Sequence, residues 1–445
     1  MQKERLQKLN GWARQNLTQY ILPFWTSDFI IDHEYGGFYG RVSAAMEIDN
    51  TEPRGLTLAG RMTYAFSVAY RVLDDEVCKE RATYAYRDLI SRFYDSEYGG
   101  AYPTVSAQGD VISDDKPTYC EAFLLMGCAA YYYATGDADA LEVAYQTFRL
   151  METKVKLRPG CYHNNMTRDW KPAPGMGFGS KKTSPAFSMP EGAVMFPHHL
   201  CQAYVLLYKA TQNAAVGQAL AEMVDFACDT LYDADYRCFK TIVEKGGTRV
   251  GTRQSFGHDC EISYLLQNAA SLLGDNALAA KVDNVCKQVL IQVLEHDYDA
   301  WGSLYNGCDL ATGEREKSHV WWAQAESVTA MLYGYELTGD TRFLSACETQ
   351  ADYTKLFYVW GHSYEFADDD NWSCIEGLCS TLNKQGSDIW FATNIEIFDY
   401  VTAFRRLEYG AEGSLVYNPS ALSVSLRRGG KTYTIAPLST SDLDR

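Results

Sequence analysis

The chain has 445 residues, 47% of them hydrophobic, and its 40 Lys and Arg residues against 57 Asp and Glu residues give a net charge of −17. So acidic a chain is a poor candidate for binding nucleic acid, because phosphate contacts depend on clustered Lys and Arg. No apolar run approaches the roughly 20 residues of a membrane helix, so no membrane partner is expected. The 13 cysteines form no Cys-x-x-Cys pair. Without a signal-peptide pattern at the start, they predict a reduced, cytoplasmic protein.

Helical pairs repeat along the first 350 residues. Five times an apolar helical run ends in a short polar break, and a second helical run follows. The breaks end, at spacings of 62, 76, 62 and 65 residues, at Asp75, Asp137, Asn213, Asp275 and Asp340. A Gly suits the left-handed position past a helix end, and Asp or Asn suits the cap of the next helix. The repeat therefore predicts five helical hairpins.

A second marker, a glycine or small residue followed by aromatic residues, lies between the hairpins and predicts a turn with a short strand. It occurs, in decreasing clarity, at residues 35–39, 98–102, 158–162, 236–239 and 301–305. The helical runs themselves are apolar all round, which is typical of helices buried on several sides. An open solenoid would fit this period, but a ring of hairpins closed into an α/α barrel would bury the inner helices more completely.

The pattern changes near residue 352. Beyond it, the sequence predicts strand-like stretches, two short helices at 372–382 and 396–407, and a final β-hairpin with its turn at 428–431. We therefore predict two domains, an all-α barrel over residues 1–352 and a small α/β segment over residues 353–445.

His258 and Glu261 are candidate proton-transfer groups at the start of one helical run. They are three residues apart, so they share a helix face. A His near a helix N-terminus is kept neutral, which suits a general base. The alternative is a helix cap beside a surface carboxylate, and the sequence favours neither interpretation over the other.

Other helical runs also carry polar residues near their starts. A later run opens with Trp321 and Trp322, followed by Glu326. Tandem Trp residues beside a carboxylate are common in sugar sites, although core packing is the more common role of a Trp pair by itself. Arg61 is a single charge in an apolar run, so we expect it to be buried with an ion pair or a ligand. His198 and His199 precede another apolar run and are either metal ligands or polar rim residues. No His-x-x-x-His or carboxylate cluster supports a metal site, so none is expected.

The placement of these residues is more informative than any one of them. Arg61, His199, His258 and the Trp322–Glu326 pair lie near the starts of alternate helical runs. In a closed ring these starts would converge at one rim of the central cavity. Arg, two His, Glu and Trp in an acidic, aromatic cup indicate a carbohydrate site with proton-transfer groups.

Four motifs in this region resemble the N-acylglucosamine 2-epimerase superfamily, nearest to its cellobiose 2-epimerase branch. They are residues 36–40, 61–67, 257–261 and 321–326. The resemblance implies an (α/α)6-type barrel, either a monomer or a homodimer. It also implies cofactor-free epimerisation or aldose–ketose isomerisation at C2 of a reducing sugar of the cellobiose or mannose type.

The resemblance also implies roles for individual residues. His258 would exchange the proton at C2, and Arg61 would orient the open-chain sugar. The implied catalytic residues are His258, Glu261, Arg61 and His199, and the implied substrate-binding residues are Trp322, Glu326, Tyr264 and Tyr119. Tyr264 stands where the cellobiose branch usually carries Trp, and Gln202 stands where a Glu is usual.

The end of the chain departs from the family pattern. No late Trp-x-x-Pro-Tyr-His loop supplies a second catalytic His, and the sixth hairpin is expected to be missing or replaced. Residues 356–366, 388–394 and 416–419 instead resemble the C-terminal end of NodB-type polysaccharide deacetylases, whose metal motifs the chain lacks. His362 matches a late active-site His of that family.

Three functions remain open at this stage. With one base in place, isomerisation is mechanistically easier than epimerisation, because one group can move a proton from C2 to C1 on the same face. The second possibility is a catalytically impaired sugar-binding barrel that lost its second His. The third is a hydrolase that uses Glu261 and Glu326 as its paired carboxylates.

Overall fold

A computed structural model describes nine stretches of the chain, and the structural statements below concern these stretches alone. They are residues 2–43, 46–175, 193–244, 246–300, 302–353, 400, 403–410, 414–428 and 431–444. The chain divides into two compact units, Met1–Trp360 and Gly361–Arg445. The expected domain limits of 1–352 and 353–445 stay a prediction, because residues 354–399 lie outside the described stretches.

Twelve α-helices build the described part of the first unit. They are α1 Gln2–Asn16, α2 Leu22–Trp25, α3 Leu56–Leu73, α4 Glu76–Asp88, α5 Thr118–Thr135, α6 Ala138–Leu150, α7 His198–Thr211, α8 Ala214–Phe226, α9 Phe256–Leu273, α10 Asn276–His296, α11 Trp321–Thr338 and α12 Thr341–Tyr353. Wider, π-helical turns occupy Leu17–Ile21, Leu89–Phe93, Met151–Val155 and Ala227–Leu231, and a 3-10 turn occupies Asp28–Ile30.

The tips of the five helical hairpins follow one local rule. The residue just past the first helix has a positive φ in every hairpin: Asp74, Gly136, Gln212, Gly274 and Gly339. The next residue then accepts a backbone N–H of the second helix: Asp75, Asp137, Asn213, Asp275 and Asp340. The predicted breaks and caps are therefore confirmed at all five positions.

The helices α3, α5, α7, α9 and α11 pack against one another in chain order, and each also packs against the second helix of its own hairpin. We call these five the inner helices. In α5, 13 of 18 residues are buried. Helices α3 and α5 approach closely at Gly60, where a Cβ would lie 2.4 Å from the carbonyl oxygen of Phe123. The expected loss of the sixth hairpin concerns residues outside the described stretches.

Each glycine and aromatic marker forms a short antiparallel hairpin in the loop before an inner helix. The paired residues are Ile31 and Phe38, Tyr94 and Ala101, Lys156 and Tyr162, Tyr232 and Phe239, and Tyr298 and Leu304. The predicted turn with a short strand is therefore confirmed in all five units.

Three of these hairpins make the same bond to an inner helix. The backbone N–H groups of Ala101, Phe239 and Leu304 donate to the side chains of Glu121, Asp259 and Gln324, at 2.9, 2.7 and 3.0 Å respectively. Each acceptor is the fourth residue of its helix. This bond holds the loop against the end of the helix that carries the candidate site.

The strands are short. In the first unit they are β1 Arg41–Val42, β2 Ile48–Asp49, β3 Arg54–Gly55, β4 Thr104–Val105, β5 Val111–Ser113, β6 Lys116–Pro117, β7 Lys156–Arg158, β8 Cys161–Tyr162, β9 Asn165–Met166, β10 Val194–Met195, β11 Tyr232–Asp233, β12 Cys238–Phe239, β13 Ile242–Val243, β14 Arg253–Ser255, β15 Gly307–Asp309 and β16 Arg315–Glu316. In the second unit they are β17 Glu408–Tyr409, β18 Leu415–Asn418, β19 Val424–Arg428, β20 Lys431–Ile435 and β21 Ser439–Asp442.

The second unit contains two antiparallel sheets, β17–β18–β21 and β19–β20. Strands β19 and β20 pair with Arg428 opposite Lys431, as the predicted hairpin requires, although residues 429 and 430 lie outside the description. Of the two predicted helices, 372–382 also lies outside it, and in 396–407 residues 400 and 403–405 are helical. The likeness to NodB-type deacetylases stays a prediction.

Two further observations bear on the composition. None of the helices in the described part of the chain combines the length and apolar character needed to cross a membrane. The 11 cysteines in these stretches are free, and all except Cys308 are buried. They pack as small hydrophobic residues, as the sequence predicts.

Candidate active site

His258 is the third residue of α9, directly after the N-terminal residue and Gly257. Its Nδ1 lies 2.8 Å from Ser255 Oγ. The ring packs between Trp322 and His198, with ring centroids 5.0 and 5.1 Å away. Gly257 makes this packing possible, because a Cβ there would lie 2.6 Å from the Trp322 ring. Burial, together with the nearby His198, lowers the pKa of His258 to about 3, so the ring is uncharged at neutral pH.

Glu261 lies one turn further along the same face of α9 and is 5% exposed. Its two carboxyl oxygens face two imidazoles, with Oε2 3.6 Å from His198 Nε2 and Oε1 3.7 Å from His199 Nδ1. Burial raises the pKa of Glu261 to about 7, although the positive charge of Arg61 acts to lower it. The alternative of a surface carboxylate beside a helix cap is therefore wrong for this residue.

The two adjacent histidines open α7. Burial lowers the pKa of His198 to about 4 and that of His199 well below its ordinary value. Gln202 lies close to the side chains of both His199 and Tyr64. From the sequence, both histidines were candidates for metal ligands or rim residues, and only His199 was assigned to the site, whereas the structure places both beside Glu261. The doubled His at a helix start was the available signal.

Glu326 and Tyr264 form a second polar pair. Tyr264 donates its hydroxyl hydrogen to Glu326 Oε2 at 2.7 Å. Burial, with the charge of Glu261, raises the pKa of Glu326 to about 7, while the Tyr264 hydrogen bond and Arg61 lower it. Glu261 and Glu326 are thus coupled carboxyls, and one of them is readily protonated near neutral pH.

The burial of Arg61 differs from the prediction. The sequence predicted a buried guanidinium, whereas the residue is exposed. Its Nη2 donates to the Tyr119 hydroxyl at 3.3 Å, and its charge lies 4.7 Å from the centroid of the Phe123 ring. The prediction of burial was wrong because an apolar helical pattern does not distinguish a packed core from an open interior. No ion pair between described residues involves Arg61, so this cation is available to a ligand.

The predicted residues share a register on the inner helices. Arg61, Glu261 and Glu326 are the sixth residues of α3, α9 and α11. Tyr119, His199 and Trp322 are the second residues of α5, α7 and α11. These positions all lie in the first two turns of the inner helices. A small crevice beside Tyr119, His198 and His199 is lined by residues of α5, of α7 and of the loops before them.

The Trp pair divides between two surroundings. Trp322 is partly buried and contacts His258, whereas Trp321 is 76% exposed. Trp321 is therefore not packed in the core, although core packing is the more common role of such a pair. An aromatic face that can stack on a sugar thus lies beside an uncharged base, two carboxyls and an exposed guanidinium, which are groups that can exchange a proton and stabilise charge.

The family model described as N-acylglucosamine 2-epimerase (GlcNAc 2-epimerase) matches residues 37–364. The chain belongs to the N-acylglucosamine 2-epimerase family. A cellobiose 2-epimerase from Ruminococcus albus is 31% identical over 349 residues, which cover 78% of this chain and 86% of that protein. One from Bacteroides fragilis is 31% identical over 330 residues, which cover 74% and 82%.

Solved structures show the same relationship. A cellobiose 2-epimerase from Bacillus thermoamylovorans superposes with a TM-score of 0.71 at 26% identity, over 80% of this chain and 89% of that one. A D-mannose isomerase superposes with a TM-score of 0.64 at 17% identity, over 80% and 87%, and shows the fold alone. The predicted family, its sugar epimerase class and the (α/α)6-type fold are thereby confirmed.

Proposed function

We propose that this family member acts without a cofactor at C2 of a reducing sugar of the cellobiose or mannose type, with His258 as the base. The observation that carries the proposal is the position of His258. Its uncharged ring lies between Trp322 and His198, one turn from the buried Glu261. The curated relatives named cellobiose 2-epimerase support the substrate class.

Ring opening precedes proton transfer at C2. A cyclic reducing sugar opens when one group takes the proton from the C1 hydroxyl and another gives a proton to the ring oxygen. Burial raises the pKa of both Glu261 and Glu326 to about 7, so one can act as the base while the other acts as the acid. Stacking on Trp322 would hold the apolar face of the sugar during this step.

Proton abstraction then forms an enediolate. His258 takes the proton from C2, the C2–H electron pair forms a double bond to C1, and the C1 carbonyl oxygen becomes negatively charged. A C2 proton beside an aldehyde is too weakly acidic for an isolated imidazole, so this oxygen must be stabilised. The exposed guanidinium of Arg61 would provide the positive charge that stabilises this oxygen. The negatively charged enediolate would in turn stabilise the protonated ring of His258.

The product depends on where the proton returns. Delivery to C1 by His258 on the same face gives the ketose, whereas delivery to the opposite face of C2 gives the epimer and needs a second donor. His199, beside Glu261, is the candidate for that donor among the described residues. The impaired sugar-binding barrel is the alternative function, because the sequence has no late Trp-x-x-Pro-Tyr-His loop.

Proton NMR in D2O tests the proposal. The protein is incubated separately with cellobiose, mannose and N-acetylmannosamine, and the C2 proton signal is followed. Loss of this signal with new epimer or ketose peaks is expected for wild type and for His296→Ala, whose side chain is exposed on α10. His258→Ala should abolish the exchange. Sugar line broadening without exchange would favour the impaired barrel, and exchange that survives in His258→Ala would show that another group is the base.

A further inference from the structure

Three side chains of the kind that bind transition metals meet beside the base, although they come from two helices. His198 is the first residue of α7, and His258 and Glu261 belong to α9. One possible ligand atom from each lies within 4.8 Å of the others. His198 Nε2 and Glu261 Oε2 are 3.6 Å apart. In a tetrahedral shell with bonds of about 2.0–2.1 Å, neighbouring ligand atoms are about 3.3 Å apart, so this pair needs little movement.

The second ring nitrogen of each His is already engaged. His198 Nδ1 lies 3.3 Å from the carbonyl oxygen of Phe196, and His258 Nδ1 lies 2.8 Å from Ser255 Oγ. Metal-binding imidazoles usually have such an outer partner, which orients the ring and leaves the other nitrogen for the metal. Here the arrangement leaves Nε2 of both rings as the metal ligand atom.

The carboxyl of Glu261 has a comparable outer contact, because its Oε1 faces His199 Nδ1 at 3.7 Å while Oε2 faces His198. Two imidazoles and one carboxylate are a known donor set for Zn²⁺, and they leave a fourth position for water or a ligand. Imidazole and carboxylate together also accept Co²⁺ and Ni²⁺. The positive charge of Arg61 lies nearby and works against the binding of a metal cation. The Arg61 side chain is exposed, so solvent screens this repulsion.

We infer that His198, His258 and Glu261 form a binding site for a divalent transition-metal ion, and that the bound ion inhibits the enzyme. Coordination uses the Nε2 lone pair of His258 that would otherwise take the C2 proton. The ion and proton transfer therefore exclude each other. The binding part of this inference is independent of the proposed function, and the inhibition part rests on it.

Titration of metal-free protein with Co²⁺ tests the binding part, because tetrahedral Co²⁺ absorbs in the visible range. We expect one equivalent of Co²⁺ to produce this band and Zn²⁺ to displace it. His198→Ala and His258→Ala should each weaken Co²⁺ binding at least about tenfold, the lower limit for the loss of even an outer partner. His296→Ala, which removes an exposed imidazole, is the matched control and should bind like wild type.

Several results would overturn the inference. They are no visible band with excess Co²⁺, an unchanged band in His258→Ala, an equal loss in His296→Ala, or a strong near-ultraviolet thiolate band that shows binding by cysteine. Because His198 is buried, His258→Ala decides the matter if His198→Ala does not fold.

The inhibition part is measured by C2 exchange. Zn²⁺ should stop the exchange in metal-free wild type and a chelator should restore it, whereas exchange at full rate with the site saturated by Zn²⁺ would contradict inhibition. If the metal-free protein exchanges no C2 proton with any of the three sugars, the proposed function fails. The Co²⁺ band then still decides whether the metal site exists.

Discussion

Two pairs of carboxyls occupy the fourth and the sixth positions of inner helices, and the two pairs have different partners. The scaffold carboxyls are Glu121 and Asp259, each the fourth residue of its helix. The site carboxyls are Glu261 and Glu326, each the sixth residue. Burial raises the pKa of all four to about 7. A raised pKa therefore indicates burial in both pairs and does not identify the functional pair.

The groups that contact the carboxyls distinguish the scaffold pair from the site pair. The scaffold carboxyls accept backbone N–H groups of the loop hairpins, and Gln324 makes the same bond on α11 without a charge. The site carboxyls face imidazoles and a phenol hydroxyl. A negative charge is thus dispensable at the scaffold position, whereas the proposed chemistry at the site position requires a group that can gain and lose a proton.

The largest expected effect is on activity. Glu261→Gln keeps the size of the side chain but removes a proton-transfer group, so the rate of C2 exchange should fall about 10²- to 10⁴-fold. Its thermal midpoint should stay within about 2 °C of wild type, because no backbone N–H of the described residues donates to Glu261. Deuterium incorporation at C2 and a thermal melt measure the two effects. A large drop in midpoint with full activity would reverse the assignment of the two pairs.

The next largest effect is on stability. Asp259→Ala leaves the buried N–H of Phe239 without its acceptor, which should lower the free energy of unfolding by about 2–3 kcal/mol. Asp259→Asn keeps an acceptor oxygen for that N–H, as Gln324 does on α11, but loses the oxygen that accepts the Gln254 side-chain amide at 2.7 Å, so it should cost about 1 kcal/mol, less than Asp259→Ala. Urea unfolding measures both variants. Equal losses in the two would show that the charge, not the hydrogen bond, holds the loop.

Glu121 should make stability depend on pH. Its folded pKa of about 7 lies above the ordinary value of 4.5, so the folded state holds the proton more tightly than the unfolded chain. The stability from this group is present below about pH 4.5 and is lost as the pH rises to about 7, by about 3 kcal/mol.

Glu121→Gln removes this dependence, so its advantage over wild type should be small at pH 4.5 and largest above pH 7. Urea unfolding at pH 4.5, 6 and 8 gives the comparison. The same difference between variant and wild type at all three pH values would show that Glu121 does not change its protonation on unfolding.

The smallest expected effect is on stability and concerns the C-terminal ends of the inner helices. Asp74 has a φ of 55° where three of the other hairpin tips have Gly. Asp74→Gly should therefore raise the free energy of unfolding by about 1 kcal/mol. Gly136→Ala, at a φ of 77°, is the reverse substitution and should lower it by about the same amount. Chemical denaturation resolves both, and a loss in Asp74→Gly would mean that the Asp side chain stabilises the tip.

The hairpins were predictable because their signals are local. A left-handed residue followed by an Asp or Asn cap involves only neighbouring atoms, so Gly136 and Asp137 indicate a hairpin tip wherever the rest of the chain lies. The loop marker at residues 98–102 is local in the same way, because its glycines set the turn and its aromatic residues set the strand. The hydrogen bond from that loop to Glu121 could not be predicted, since it joins residues 20 positions apart.

The site was predictable in membership but not in arrangement. The periodic helix starts predicted that Arg61, His199 and Glu326 converge. The exposure of Arg61 depends on how the inner helices pack, which a one-dimensional apolar pattern cannot show. The contact of His198 with Glu261 joins two helices across 63 positions of sequence, so no spacing rule could reveal it.

By itself, the sequence determined the helical hairpins, their caps, the repeat and, through its motifs, the family. These features depend on backbone conformation and on side chains a few residues apart. The packing of α5, α7, α9 and α11 decided which carboxyls support a loop and which lie in the candidate site. It also decided that His198, His258 and Glu261 meet. Burial and through-space contact set a carboxyl's pKa and its partner, and both exist only when the helices are assembled.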